Sequence, residues 1–338
     1  MSNESHSIPG PFPPCHTAVF LLELRQITSI VAFQKGELVA KIGFVTCDKL
    51  LPAAQSVQNQ FFTADDWLAA ESLTARGHRV EPVLWRAPTK INELQKFDLL
   101  LLRSPWDYME HRQEFFAWLQ KIENANVHLE NPLATVRWNI DKNYLHDLPR
   151  RGVAIPDTRY VHRVDIPDLA AFMQQKHYQE IIVKPTVSAA AYHTFRLNLA
   201  QACDFQRQFA QMVRECEMMI QPFIQEVVAQ GEWGMIYFQR KYSHAVLKKA
   251  KSGDFRVQDD YGGTVEFRHP PDYLRAQADR LVAELDRPHF YARVDGVDAQ
   301  GKLMVMELEM IEPELFLRAH PDAPGRFAMA IEQILLHG

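Results

Sequence analysis

Tyr291 to Pro313 reads YARVDGVDAQGKLMVMELEMIEP, and its reading decides the fold. Two alternating runs flank the polar segment Asp298-Ala299-Gln300-Gly301, the pattern of two strands joined by a turn. Side chains on a strand alternate between faces, so Glu307 and Glu309 project from one face, as do Tyr291, Arg293 and Asp295. With Asp295 paired opposite Glu307, three carboxylates meet beside one arginine. Like charges that close repel, and a cation such as Mg2+ bound between them offsets the repulsion.

The segments upstream supply partners for that hairpin. EIIVKP places Lys184 near the end of an apolar strand, where an ammonium is costly unless it faces an anion. Thr186 to Arg196, TVSAAAYHTFR, is a loop of small and hydroxyl residues. MMIQPFI, Met218 to Ile224, is an apolar strand broken by Pro222, which suits a sheet edge or a hinge between lobes. Gln221, Pro222, Phe223 and Ile224 could hold a flat purine through backbone hydrogen bonds and apolar contact, although a plain edge strand reads equally well. GEWGMIYFQ and YSHAVLKKA form a hairpin, and Lys248, Lys249, Lys251 and Arg256 surround SGDFRVQDDYGG as a run that reads in isolation as a solvated face. Lys142 lies in the amphipathic NPLATVRWNIDKNYLHDLPR, and helices are expected over 168–177, 204–215, 271–286 and the closing RFAMAIEQILLHG.

Nearer the N-terminus the pattern is α/β. KIGFVTC, a helix over 63–76 closed by Gly77, and HRVEPVLW make one βαβ unit. FDLLLL is a buried strand that runs into RSPWDY, Arg103 to Tyr108, followed by a helix over 110–124. Loops at the C-terminal ends of parallel strands bind ligands in open α/β sheets, so RSPWDY is a substrate-site candidate; the alternative is that Trp106 and Tyr108 plug the sheet end. Residues 1–38 read as a poorly structured extension, the alternative being a short extra helix packed on the outside. Lys35-Gly36-Glu37 is compatible with translation of a purine-rich ribosome-binding sequence ahead of a start at Val39.

At 338 residues and 39.1 kDa the chain exceeds one core, so several lobes are expected. The division falls at 39–130, 131–220 and 221–338. A hydrophobic content of 47% with a net charge of -5 gives no reason to expect nucleic acid or membrane as a partner. The four cysteines lack CxxC spacing, which argues against zinc and suits the cytoplasm. No HExxH or similar spacing marks a histidine metal site among the fourteen histidines.

The order of these features, a lysine in a linker, a lysine ending a strand, a small-residue loop, a hydrophobic hinge, a basic loop and an Asp…Glu-x-Glu hairpin, resembles the ATP-grasp superfamily of carboxylate-amine ligases over roughly 131–317. KSGDFRVQ is similar to a loop of the ribosomal-protein glutamate ligases. RSPWDY, GDFRVQ and ELEMIEPELFL resemble the group that includes the D-cycloserine ring-closing ligase. The resemblance implies an ATP-grasp fold: an N-terminal βαβ substrate-side domain and two α+β lobes clamping ATP. It also implies Lys142 and Lys184 on nucleotide phosphates, adenine at 221–224 and Glu232 on the ribose side. Arg256 and Gln258 would lie near the transferred phosphate or the substrate, with Asp295, Glu307 and Glu309 on Mg2+ or Mn2+ and Arg293 beside the phosphates. Two departures stand out. Ser188, Ala189, Ala190 and Ala191 replace the usual glycines, and Glu309 replaces the usual asparagine.

The implied chemistry is activation of a carboxylate as an acyl phosphate and its capture by an amine-type nucleophile, both small molecules, with Lys184, Arg256 and Arg293 stabilising the transferred group, the 186–194 loop as a lid, and a homodimer as one assembly. A ligase acting on a peptide or protein terminus and a non-catalytic nucleotide-binding module are the competing readings. The module reading predicts loss of a metal carboxylate or a lysine, and all are present.

Overall fold

The computed structural model describes residues 39–48, 62–188, 191–257 and 262–337. The proposed extension before Val39, Ala189 and Ala190 of the small-residue loop, and Gln258 lie outside the described residues. Val39–Gly338 forms one compact unit built on three sheets.

The first sheet comes from the α/β segment. Its strands are β1 (Lys41–Thr46), β2 (Arg79–Leu84), β3 (Leu99–Ser104) and β4 (Leu129–Glu130), with helices α1 (Ala64–Thr74), α2 (Ile91–Leu94) and α3 (Arg112–Asn124) between them. The order is β2-β1-β3-β4 and all pairs are parallel. Thr63 caps α1 by accepting from the Asp66 amide at 3.0 Å. All six residues of β3 are buried, as expected for a central strand covered on both faces. After α4 (Leu133–Asn139) and a 3-10 turn over Lys142–Asp147, the second sheet takes the order β5-β8-β6-β7: β5 (Arg159–Val161), β6 (Glu180–Pro185), β7 (Phe195–Asn198) and β8 (Met218–Pro222), with α5 (Leu169–Lys176) and α6 (Leu199–Glu215). Every pair in it is antiparallel. The expected helix start at Asp204 moves to Leu199, because Asn198 and Gln201 form a reciprocal capping box.

β8 lies inside its sheet, contrary to the plain edge-strand expectation. Pro222 is nonetheless tolerated there because β5 pairs β8 only from Ile220 to Met218, which leaves Pro222 beyond the paired stretch.

The third sheet is antiparallel with order β11-β10-β9-β12-β13. After α7 (Glu226–Ala229) come β9 (Glu232–Phe238), β10 (Lys241–Lys249), β11 (Thr264–Phe267), α8 (Asp272–Ala283), β12 (Tyr291–Ala299), β13 (Lys302–Glu309) and α9 (Ala323–His337). Gln300 and Gly301, at φ 55° and 84°, make the β12–β13 turn with two residues instead of the four expected, the primed geometry that tight hairpins favour. Counting outward from that turn, Gly296 faces Val305 and Asp295 would face Met306. A register shift follows Asp295, so Glu307 faces it instead. The extra residue is a β-bulge, and it switches the core-facing set of β13 from Leu303 and Val305 to Leu308 and Met310. Their face packs on Leu274, Ala278 and Leu281 of α8, and the opposite face carries the carboxylates.

β13 is an edge strand, and side chains of the preceding linker cover it. The Asn139 side-chain amide donates to Leu308 O and accepts from Met310 N, both at 2.8 Å. The Tyr144 hydroxyl accepts from Leu308 N at 2.8 Å. Asn131, fully buried, bonds Met310 O, Tyr291 O and Phe290 N. These bonds hold Lys142, which starts the intervening 3-10 turn, against the carboxylate face. Replacing Asn139 by Leu leaves Leu308 O and Met310 N unsatisfied. It is expected to cost about 2 kcal/mol or more in urea unfolding; an unchanged midpoint would show that the cover does not matter.

Candidate active site

Residues opposed in register share a face, so the sheet pairs predict which side chains meet. Lys248 of β10 pairs Glu232 of β9, Gly234 of β9 pairs Asp295 of β12, and Asp295 pairs Glu307 of β13. The contacts follow that line. Lys248 Nζ lies 2.6 Å from Glu232 Oε1 and 2.9 Å from Asp295 Oδ1. Arg293 grips Asp295 through Nε and Nη2, the latter at 2.8 Å, and reaches Glu309 Oε1 at 2.5 Å. Lys142 Nζ lies 3.1 Å from Glu307 Oε1 and donates to Ser188 O at 2.5 Å. Gly234 leaves room for this crowd, since a Cβ there would come 3.1 Å from Asp295 Oδ1.

The expected trio of carboxylates beside one arginine is thus divided. Arg293 takes Asp295 and Glu309, while Glu307 is taken by Lys142. Lys248 corrects the solvated-face reading of the basic run. Its side chain is only 7% exposed and binds two carboxylates, and the sequence signal was its position in β10 directly opposite Glu232.

Burial and charge set the ionisation of this network. Burial alone would raise Asp295, but Arg293 and Lys248 outweigh it and hold its carboxyl below the usual range. Burial lowers Lys248, yet Asp295 and Glu232 raise it overall. Glu307 is held down by Lys142 and Lys184 against burial. Glu309 moves the other way: burial raises it, Arg293 opposes, and Glu307 and Asp295 add to the rise. Burial also raises Glu232 against the pull of Lys248. Lys184, at the end of β6, has no carboxylate within ion-pair distance among the described residues. Burial depresses its ammonium, Glu307 opposes, and Lys142 adds to the depression.

An all-oxygen donor set suits a hard divalent cation. Glu307 and Glu309, with side chains 31% and 30% exposed, present such donors, while Asp295 at 3% is enclosed by Arg293 and Lys248. Among the described residues no group of three or more His, Cys, Asp or Glu side chains is arranged to hold a metal ion, because each carboxylate is drawn onto a basic neighbour.

The remaining candidates lie around this core. Gln221 is buried and its side-chain amide donates to Thr158 Oγ1 at 2.9 Å. Pro222 pairs Ile181, and Phe223 N donates to Glu180 O at 3.0 Å. The Phe223 ring carries the Arg196 guanidinium 3.7 Å from its centroid and meets Phe255 edge-on. Ile224 packs with Val227, Val257 and Val297. Arg256 is bidentate to Asp254, with Nη2 at 2.7 Å from Oδ2. Its guanidinium is therefore engaged within its own loop.

The RSPWDY loop closes the other side. Arg103 Nε donates to Asp66 Oδ1 at 2.9 Å, Ser104 Oγ to Asp66 Oδ2 at 2.9 Å, and Trp85 Nε1 to Asp107 Oδ1 at 2.6 Å. Tyr108 is buried and hydrogen-bonds Glu312, and the Trp106 indole donates to Glu312 O at 3.4 Å. Glu312 was not singled out in the sequence, and no motif spacing points to it.

Residues 42–131 match the family model for the N-terminal domain of the D-cycloserine synthetase DcsG. The cycloserine biosynthesis protein DcsG of Streptomyces lavendulae is 32% identical over 259 residues, 71% of this chain and 84% of that protein. The chain belongs to the ATP-grasp ligases. Membership makes it an ATP-dependent enzyme that forms carbon–nitrogen bonds. The crystal structure of D-cycloserine synthetase DcsG superposes with a TM-score of 0.74 at 28% identity, covering 87% of this chain and 99% of that one. A D-alanine–D-alanine ligase from Bacillus anthracis shares the fold at TM-score 0.61 and 16% identity, over 88% of this chain and 96% of its own. This ATP-grasp ligase has no helix among its described residues long and apolar enough to cross a membrane.

Proposed function

We propose that this ATP-grasp ligase activates the carboxylate of a small amino-acid-like substrate as an acyl phosphate and couples it to an amine-type nucleophile. The observation that carries the reading is the line of charges across the third sheet. Lys248, Asp295, Arg293 and Glu309 are joined to one another, and Glu307 separately to Lys142, by contacts of 2.5–3.1 Å, and Lys184 has no ion pair among the described residues. Fixed, partly dehydrated charges of this kind suit phosphoryl transfer, in which positioning and charge neutralisation supply most of the acceleration.

In this account Lys142 and Lys184 bind nucleotide phosphates, the 221–224 segment holds the adenine, and Glu232 stands on the ribose side. Lys184 and Arg293 stabilise the transferred phosphoryl group together with Arg256 of the loop after β10, and the resemblance adds Gln258 to this set. Asp295, Glu307 and Glu309 would hold Mg2+ or Mn2+, which when bound neutralises phosphate charge. Lys142 ties the small-residue loop to this site through Ser188 O; the loop excludes water, which an acyl phosphate requires. In this reading the lobes divide at 39–130, 131–220 and 221–338, with the last boundary inside β8 (Met218–Pro222). The names of the DcsG relatives favour a substrate that yields a small cyclic or amide product, over a peptide substrate.

The test is ADP release from the full chain with ATP, Mg2+ and a panel of amino acids. Release that depends on one carboxylate and yields ADP and amide in equal amounts is expected. ATP binding without carboxylate-dependent ADP release would instead favour the module reading.

A further inference from the structure

Among the described residues, two ionic side chains near the site lack a partner of opposite charge within ion-pair distance, and they are of opposite sign. Lys184 is the cation, and phosphate is its expected ligand. The anion is Glu312. Asp295, Glu307, Glu309 and Glu232 each lie within 3.1 Å of a lysine or arginine, and Glu314 pairs with Arg318. Glu312, three residues past Glu309, has no lysine, arginine or histidine within ion-pair distance among the described residues.

Its surroundings are aromatic. The Tyr108 hydroxyl bonds its carboxylate, and the Trp106 indole bonds its backbone carbonyl. Trp106 is 44% exposed although both neighbours of the loop are buried, so an indole next to Glu312 is open to solvent. A carboxylate beside an exposed indole suits a cation: the charge pairs with the carboxylate and the indole face adds cation–π attraction, while the buried Tyr108 orients the carboxylate through its hydroxyl. The cost of the missing partner shows in Glu312 itself, which burial pushes up to about 7 despite the Tyr108 hydrogen bond and the pull of Lys142. Lys142 and Arg293 are the positive groups whose field reaches Glu312, though each is held by other carboxylates, Lys142 by Glu307 and Arg293 by Asp295 and Glu309.

We infer that Glu312, with Trp106 and Tyr108, forms the pocket for the substrate's primary ammonium, so that an amino acid lies across the cleft with its ammonium at Glu312 and its carboxylate toward Arg293. The inference rests on the ligase reading for the identity of the ligand, and it makes RSPWDY the source of amine specificity. The loop orients Glu312; the carboxylate makes the ionic contact.

The test is calorimetric binding to the full chain, independent of turnover. The probes are D-cycloserine, which carries a primary amine, and isoxazolidin-3-one, the same ring without it. Wild type is expected to bind D-cycloserine at least about tenfold more tightly. Glu312→Gln is expected to erase that difference, and Tyr108→Phe to weaken it. ADP titrated into each variant reports the fold and the nucleotide site separately. Equal affinity for the two rings in wild type, weak binding of both included, overturns the inference. So does discrimination that survives Glu312→Gln. Failure of ADP to bind wild type would sink the nucleotide reading instead, whatever the two rings do.

Discussion

Glu307→Gln is expected to reduce ADP release by about 10³-fold or more while leaving the fold intact. Glu307 is the carboxylate that a β-bulge brings opposite Asp295, and its side chain is still about a third exposed although Lys142 sits 3.1 Å away. A glutamine preserves volume and can still accept from Lys142, so packing survives. What disappears is the negative charge that holds Lys142 and, in the proposed mechanism, a divalent cation. Mn2+ affinity of the ATP complex, read by electron paramagnetic resonance, should fall in parallel with turnover. A variant with full activity would remove Glu307 from the metal site. A variant with weakened Mn2+ binding and unchanged turnover would separate the metal from the reaction.

Lys184→Met should also lose about 10³-fold in turnover, yet with the opposite effect on stability. This ammonium has no ion pair among the described residues, and burial already depresses it. Replacing it by a neutral stem of similar length removes a dehydrated charge, so thermal unfolding should be unchanged or higher. ATP affinity should fall by at least about tenfold, because the phosphates would have offset that cost. A loss of stability with unchanged ATP affinity would mean that Lys184 is structural.

Much of this site was legible in the sequence because strand alternation is strict. Arg293 and Asp295 share a face, as do Glu307 and Glu309, and no tertiary information is needed to say so. The bulge was not legible. With the two-residue Gln300-Gly301 turn, simple counting sets Asp295 against Met306, and only the switch of apolar residues from 303 and 305 to 308 and 310 marks the extra residue. Lys248 was misread because a basic run seen without its partner strand resembles a solvated surface, whereas pairing with Glu232 buries it. Glu312 was missed for a different reason. Its significance is the absence of a cation partner, and a missing partner is a property of three-dimensional neighbours alone. The short strands β5, β7 and β11 lack a hydrophobic period long enough to read, so sheet pairing defines them.

In the proposed reaction a carboxylate is phosphorylated by ATP at the Arg293, Lys184 and Glu307 site. Hydroxylamine added to the full chain with ATP, Mg2+ and the responsive amino acid should trap the acyl phosphate as a hydroxamate. The amount should match ADP released, and the signal should vanish in Glu307→Gln and Lys184→Met. ADP released with carboxylate but without hydroxamate, or hydroxamate formed equally well by those variants, would contradict the account.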